Sequence, residues 1–213
     1  MNNDKSTICT LDFTMLAAQV KAAREAFKEY IAEMDDAYVQ RVKNRPQNQP
    51  VPAWLGHGRA GKDEAGKWLA KHSDLKYNGS TSTIVLPLVA HALQKPEDQA
   101  FVERHQNREY WFHFCNILRA DDPTCLARWN LAQADQVVGI RSLHELQACI
   151  KDKVVSDTIW INNPRVPVDS TVEFSVTDCK HVLSNAGTLQ DYYDVLGPFC
   201  RSIGIAVKET GNG

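Results

Sequence analysis

Apolar residues at alternating steps of three and four run along the first part of the chain, from Leu11 to Lys43. This spacing places them on one face of a helix. The stripe consists of Phe13, Leu16, Val20, Ala23, Phe27, Tyr30, Met34, Tyr38 and Val42. The pattern predicts a long N-terminal helix that packs on the rest of the chain or across a homodimer. A role in binding another partner or DNA stays open.

After a polar, proline-containing linker at residues 44–50, short apolar runs alternate with helical patterns. Predicted strands cover residues 51–55, 136–140, 158–162 and 181–187, the last passing into a turn. Predicted helices cover residues 63–71, 84–93 and 103–118, a segment after residue 141, and residues 189–199 behind the capping residue Thr188. Such alternation is typical of a parallel sheet covered by helices on both faces. We therefore predict an α/β fold, with a helical extension and linker at residues 1–49 and the α/β domain at residues 50–213.

The first predicted strand leads into Gly-His-Gly-Arg-Ala-Gly-Lys-Asp at residues 56–63. This sequence fits the phosphate-loop spacing G-x-x-x-x-G-K. Glycines let the backbone N–H groups converge on an anion, the following helix directs its positive end there, and Lys62 adds a mobile charge. We expect ATP phosphates to contact Gly56, His57, Gly58, Arg59, Ala60, Gly61, Lys62 and Asp63. The alternative is a glycine-rich turn with a surface lysine.

Asp63 stands where phosphate loops usually have Ser or Thr. Its carboxylate could hold Mg²⁺ directly or through water, or orient an acceptor hydroxyl. We assign it as a metal ligand and as the catalytic base, two roles that the sequence does not separate.

Arginines are the other candidates for catalysis. Arg104 and Arg108 lie one turn apart on a predicted helix and could clamp a phosphate. Arg141 follows a predicted strand, at the end where α/β proteins bind ligands, and Glu145 is placed to hold it. In the alternative, Arg141 only braces Glu145. The predicted helix that carries Arg104 and Arg108 also carries aromatic residues, which we expect to fill the core rather than stack on a base. They are Tyr110, Trp111 and Phe114.

A hydroxyl-rich stretch at residues 80–83 precedes the helix predicted at residues 84–93, which has Pro87 in its first turn. We expect a loop over the cleft that either hydrogen bonds the acceptor or only caps the helix.

Composition narrows the class of protein. Hydrophobic residues make up 43% and charged residues 23% of the chain, and no apolar run is long enough for a membrane span. The polar N-terminus does not resemble a signal peptide, so we expect a cytoplasmic protein without membrane association. The six scattered cysteines favour buried or inert thiols over disulfides or zinc.

The formal net charge of −2 gives no general signature of nucleic-acid binding. Basic residues are nevertheless expected to gather around the loop, which would suit a polyphosphate or a DNA backbone. They are Arg41, Lys43, Arg45, Arg59, Lys62, Lys67, Lys71 and Lys76. A solvated helix face beside a nucleotide site is an equally good interpretation.

Four segments in order resemble the deoxynucleoside monophosphate kinases of bacteriophages and, more distantly, dephospho-coenzyme A kinase. They are residues 56–63, 104–111, 137–145 and 181–189, and the resemblance covers about residues 50–200. It implies a P-loop kinase fold with ATP on the loop, in the host cytoplasm if the chain is phage-encoded. It also implies that Asn185 and Gly187 lie near the adenine and that Arg165 belongs to a short lid.

The chain departs from that family in two ways. Gly139 ends a strand where many P-loop enzymes have a metal-orienting Asp, which leaves Mg²⁺ to Asp63, with Asp121, Asp122 or Asp135 as helpers. Only about forty residues separate Lys62 from Arg104, where free-nucleotide kinases of this kind usually carry a larger helical insert. We expect an open acceptor side, suited to an acceptor that is part of something large.

Three functions follow. The first is a kinase that phosphorylates the hydroxymethyl group of 5-hydroxymethyluracil in DNA, within the hypermodification of phage thymines. The second is a deoxynucleoside monophosphate kinase, with Arg104 and Arg108 gripping the monophosphate of a free dNMP. The third is a nucleotide-binding protein that regulates or scaffolds through its N-terminal helix.

Overall fold

The computed structural model describes residues 11–208. Its four strands form one parallel sheet in the order β2-β1-β3-β4. The strands are β1 (Pro52–Leu55), β2 (Val137–Val138), β3 (Asp157–Asn162) and β4 (His181–Ser184). In the central register, Trp54 lies between Val138 and Ile159. The predicted α/β class with an all-parallel sheet is confirmed. Strand β2 is shorter than predicted because Gly139, with φ of 110°, turns the chain out of the ladder.

Helices cover both faces of this sheet. In the described part of the chain they are α1 (Phe13–Ala26), α2 (Lys28–Asn44), α3 (Lys62–His72), α4 (Thr81–Leu93), α5 (Glu97–Glu103), α6 (Arg108–Leu118), α7 (Cys125–Gln133), α8 (Leu143–Lys151) and α9 (Leu189–Ser202), with a 3₁₀ turn at Val176–Asp178. The predicted cap of α9 is confirmed, since Thr188 and Asp191 form a reciprocal capping box. Helix α7 was not predicted, because it is buried on nearly every side and therefore lacks an amphipathic period.

The sheet separates two apolar layers because successive side chains of a strand point to opposite faces. Ala53 and Leu55 face α7 and α8, whereas Trp54 faces α3 and α9. The indole N–H of Trp54 donates to the side-chain oxygen of Gln136 at 2.7 Å, and the Gln136 amide donates to Gly66 O at 3.0 Å. The core polar groups are thus paired where β1, β2 and α3 meet.

The predicted N-terminal helix forms two helices rather than one. Phe27 has φ of −112° and ψ of 21°, outside the helical region, and it separates α1 from α2. Leu16, Val20 and Ala23 are buried against α4, α6 and α7, so the chain itself covers the stripe of α1. Helix α2 has no fully buried residue and lies along α7. These helices complete a third apolar cluster, beside the sheet.

Two local expectations are wrong. Residues 81–83 are the first turn of α4 rather than a loop over the cleft, which puts Pro87 inside the helix instead of in its first turn. The helix predicted at residues 103–118 begins later, at Arg108 of α6, and the separate short helix α5, which ends at Glu103, was not predicted. Asn107 bends the chain there, and its side-chain amide donates back to Glu103 O at 3.3 Å.

None of the helices at residues 11–208 is both long enough and apolar enough to cross a membrane. The cysteines at positions 115, 125, 149, 179 and 200 are free thiols. Burial raises the pKa of each of them, which agrees with the expectation of inert thiols. Cys9 lies outside the described residues.

Candidate functional site

The connection from β1 to α3, residues 56–61, is here called the glycine loop. It runs at the carboxyl end of the parallel strands, where α/β proteins bind ligands. Gly56 and Gly61 have φ of 127° and 108°, a region that favours glycine. A Cβ at Gly56 would lie 2.8 Å from Ile161 O of the neighbouring strand. The first glycine is therefore required both by its conformation and by close packing.

Lys62 folds back into the glycine loop. Its ammonium group donates to Gly56 O at 2.9 Å and to His57 O at 2.5 Å, and the residue is 8% exposed. Burial and the positive charge of Arg141 lower its pKa to about 8, so it is mainly protonated at neutral pH. Lys62 is therefore not the surface lysine of the alternative interpretation. No side chain caps the N-terminus of α3, which leaves its first backbone amides to a ligand or to water.

Asp169, which the sequence did not single out, joins the glycine loop to the arginines. One oxygen, Oδ2, accepts from Gly58 N at 3.2 Å, from Arg141 Nη1 at 2.6 Å and from Arg108 Nη1. The other, Oδ1, accepts from the hydroxyl and the N–H of Thr171 at 2.7 and 3.2 Å. Burial raises the pKa of this carboxyl, but the hydrogen bonds from Arg141 and Thr171 prevail and hold it well below its usual range. Asp169 is therefore ionised at neutral pH.

Glu145 does not hold Arg141, contrary to expectation. Arg141 donates to Asp169 and, at 2.6 Å, to the Thr171 hydroxyl. Glu145 points into the core and pairs with Arg119 at 2.8 Å, and both side chains are almost completely buried. Burial raises the pKa of Glu145 to about 7, against the lowering effect of Arg119. Arg119 could not be identified from the sequence because it belongs to another helix and lacks a motif.

A cleft lies beside the glycine loop, between α4, α6 and the end of β2. It brings together the three predicted arginines, although Arg104 and Arg108 belong to different elements. Its lining is Thr81, Ser82, Arg104, His105, Arg108, Trp111, Phe112, Cys115, Arg119, Gly139 and Arg141. Positive charge is concentrated here, since burial and then the arginines at positions 104, 108, 59 and 141 lower the pKa of His105. The arrangement suits an anionic ligand with an aromatic part.

The aromatic residues of α6 only partly follow the expectation that they fill the core. Phe114 is fully buried and Tyr110 packs on the same cluster, as predicted. Trp111 is also in the cluster, but one side of it lines the cleft together with Phe112.

Asp63 is exposed on the first turn of α3, and the Tyr77 hydroxyl donates to it at 2.7 Å. Burial and the Asp63 charge both raise the pKa of Tyr77, which keeps it a donor. The Tyr77 ring lies against Gly66, where a Cβ would come within 2.7 Å of it. Tyr77 thus fixes the direction of the Asp63 carboxylate, a role that no sequence pattern indicated.

Within residues 11–208, no three His, Cys, Asp or Glu side chains converge as a metal site. A single carboxylate still fits Mg²⁺ at a nucleotide site, because phosphates and water supply the other ligands. At this loop, Asp63 is the carboxylate that would hold such an ion. The proposed helpers are paired elsewhere, in Arg24–Asp121, Arg128–Asp122 and Arg41–Asp135.

The residues that the resemblance assigns to the adenine and the lid lie at the far end of the glycine loop. The Asn185 amide donates to Ala60 O at 2.8 Å, and Arg165 donates to Asn185 O at 3.0 Å. Tyr192, not predicted, donates to Gly61 O at 3.2 Å. Gly187 is exposed before α9 and has no contact with the loop among the described hydrogen bonds. Asn185 thus braces the loop, and Arg165 holds Asn185.

The expected gathering of basic residues around the loop is wrong in part. Arg41 pairs with Asp135 at 2.5 Å, and Lys76 N donates to the same carboxylate at 2.8 Å. Asp135 precedes β2, which runs parallel to β1, so this group lies at the opposite edge of the sheet from the loop. The local positive charge comes instead from the arginines of the cleft.

Fold and site together define an α/β protein with a lysine-bearing glycine loop beside an arginine-lined cleft. Comparison of the chain with protein-family models, with curated proteins and with solved structures finds no match.

Proposed function

We propose that this protein is an ATP-dependent P-loop kinase, of the type found in phage deoxynucleotide metabolism. The observation that carries the proposal is the junction at Gly58, where the loop that holds Lys62 meets Arg108 and Arg141 of the cleft. A kinase needs a donor phosphate site and an acceptor site in contact, with positive charge between them.

The loop side of this junction would hold ATP. The amides of the first turn of α3 receive the phosphates, together with the loop amides that are not bonded to Asp169 or His57 O. Lys62 exchanges its bonds to Gly56 O and His57 O for phosphate oxygens. Asp63, which Tyr77 orients, would hold Mg²⁺, and the ion would supply positive charge that neutralises the phosphates. Arg108 and Arg141 stabilise the charge of the transferring phosphoryl group from the opposite side.

For the acceptor, we propose the hydroxymethyl group of 5-hydroxymethyluracil in DNA. Ser82 offers a hydroxyl to a base in the cleft, whereas the Thr81 hydroxyl donates to Val138 O. Phe112 and Trp111 offer aromatic surface. Exposed His105 and half-buried Arg104 line the cleft, and the charge of Arg59 acts on His105. The phosphates of a flipped nucleotide would lie beside these positive groups. The basic charge is local to the cleft, so the net charge of −2 is no obstacle.

A second acceptor, a free dNMP, is favoured by a different observation. Arg108 and Arg141 both line the cleft and reach the loop, which is where a dNMP kinase must hold the acceptor monophosphate. Both acceptors use the same cleft, and only the reacting group differs.

The test is transfer of label from γ-labelled ATP, offered in parallel to free dNMPs, ordinary DNA and DNA containing 5-hydroxymethyluracil. We expect label only in the modified DNA, on the hydroxymethyl oxygen. Label only in dNDP would establish the second acceptor. Binding of ATP without transfer to any of these would overturn the kinase proposal and support a regulatory nucleotide-binding protein.

A further inference from the structure

Asp169 is a buried carboxylate at the meeting point of the two halves of the site. Its side chain is 3% exposed, yet it contacts Gly58 N of the loop and two cleft arginines. The Thr171 hydroxyl and N–H hold its other oxygen. It is therefore fixed in direction and close to where the γ-phosphoryl group would meet its acceptor.

The presence of a carboxylate there bears on the chemistry of the acceptor. A phosphate acceptor attacks through an oxygen that is already ionised, and a fixed negative charge beside it would repel it. A hydroxyl acceptor is neutral and must lose a proton as it attacks. A buried anion next to the transferring group therefore suits a hydroxyl.

The other carboxylates near the site have different surroundings. Asp63 is exposed at the start of α3 and is tied to Tyr77, on the side proposed for Mg²⁺. Glu145 is enclosed with Arg119 and has no hydrogen bond to the loop among the described contacts. Of these three, Asp169 alone contacts the loop and the cleft arginines together.

We propose that Asp169 is the catalytic base and that the acceptor is a hydroxyl group, which rests on the kinase function proposed above. The acceptor oxygen forms a bond to the γ-phosphorus of ATP as the bond from that phosphorus to the β–γ bridging oxygen breaks. ADP leaves with the electron pair of that bond, and the hydroxyl proton passes to Asp169 and then to water. Before the proton moves, Arg108 and Arg141 turn from the carboxylate towards the phosphoryl group. This frees Oδ2 to accept the proton and removes the arginine contacts that hold the pKa of Asp169 below its usual range. Sequence patterns indicated Asp63 both as catalytic base and as metal ligand. In this proposal Asp169 is the base, and Asp63 is only the metal ligand.

The first experiment compares Asp169→Asn with the wild type, with DNA containing 5-hydroxymethyluracil as acceptor. We expect kcat to fall by about 10²- to 10⁴-fold, the range for loss of a general base, while the Kd for ATP changes less than about threefold. Glu173→Gln is the matched control, since it neutralises an exposed carboxylate of the same segment, which bonds Leu143 N instead of the loop. This control should keep wild-type kcat.

Two results of this comparison would overturn the assignment. One is transfer by Asp169→Asn within about threefold of wild type. The other is a parallel loss of ATP affinity and melting temperature, which would make Asp169 a brace for the arginines.

The second experiment needs no variant. Wild-type protein should fail to phosphorylate the monophosphate group of any free dNMP. Rapid formation of dNDP would exclude the hydroxyl acceptor and the base role, yet leave the kinase function standing. Absence of transfer to every acceptor would instead overturn the kinase function.

Discussion

Arginines serve two opposite purposes in two regions of this protein. Between α2, α7 and the start of β2, carboxylates match or outnumber them, since Arg41 pairs with Asp135 and Arg128 with both Asp35 and Asp122. At the glycine loop, arginines outnumber the carboxylates that pair with them, because Arg108 and Arg141 share the single carboxylate of Asp169.

The number of carboxylates that pair with the arginines of a region distinguishes structural arginines from ligand-binding ones. The number of arginines alone does not. Partly exposed, matched pairs such as those of Arg128 contribute at most about 1 kcal/mol each to stability. Unmatched guanidinium groups in a cleft repel one another, and an anionic ligand relieves that repulsion. The excess at the loop end therefore marks a site for anions.

The largest effect should come from the loop lysine. We expect Lys62→Ala to lower phosphoryl transfer about 10³-fold or more, because the charge at the β- and γ-phosphates is lost from a buried position. Lys67→Ala, an exposed lysine of the same helix, should leave transfer unchanged. Steady-state kinetics measure both. Equal activity of the two variants would show that the loop does not bind phosphate.

A methyl group at Gly58 should disturb the junction between loop and cleft. Its Cβ would lie 2.6 Å from Arg108 Nη1 and 3.0 Å from Asp169 Oδ2. We expect Gly58→Ala to lower kcat about 10- to 100-fold by displacing both groups. Gly197→Ala is the control, since its Cβ meets nothing closer than 3.4 Å. If both variants keep full activity, the contacts at Gly58 are not part of the site.

Removing one arginine from each region tests the comparison directly. Arg141→Ala should lower transfer about tenfold to a hundredfold with little change in melting temperature, because Asp169 retains Arg108. Arg128→Ala should keep its activity but lose about 1 kcal/mol of stability, because two partly exposed carboxylates lose their partner. Kinetics and chemical denaturation give both values. The converse pattern would contradict the division into structural and ligand-binding arginines.

The smallest effect concerns pH and the buried Glu145. Its pKa is raised from 4.5 to about 7, so the folded protein binds this proton more tightly than the unfolded chain. Its contribution to stability therefore falls as pH rises from about 4.5 to about 7. The free energy of unfolding of Glu145→Gln, relative to wild type, should increase over this interval by on the order of 1–3 kcal/mol. A difference independent of pH would show that folding does not raise the pKa of Glu145.

Local sequence was sufficient for much of the fold. The spacing of Gly56, Gly61 and Lys62 predicted the strand, loop and helix that the structure shows, because each depends on residues close in the chain. The helix cap at Thr188 was predictable for the same reason. Helix α7 was not predicted, because it is buried on nearly all sides and its sequence therefore shows no alternation of apolar and polar residues.

The site was only partly predictable. Arg104, Arg108 and Arg141 were identified, but the partner of Arg141 was misassigned because Glu145 is nearer in sequence than Asp169. Tyr77 and Asp169 could not be found, since their contacts with Asp63 and Gly58 cross 14 and 111 residues. The periodic patterns of a sequence do not indicate contacts between residues so far apart in the chain.

By itself, the sequence determined where the glycine loop and Lys62 stand and that parallel strands alternate with helices. Both features depend on interactions between residues close together in the chain, which the sequence shows directly. The tertiary structure alone decided which carboxylate meets which arginine, and hence where positive charge is left unmatched. That choice depends on how distant segments pack, because burial strengthens each charge interaction and admits only partners that the fold brings into contact.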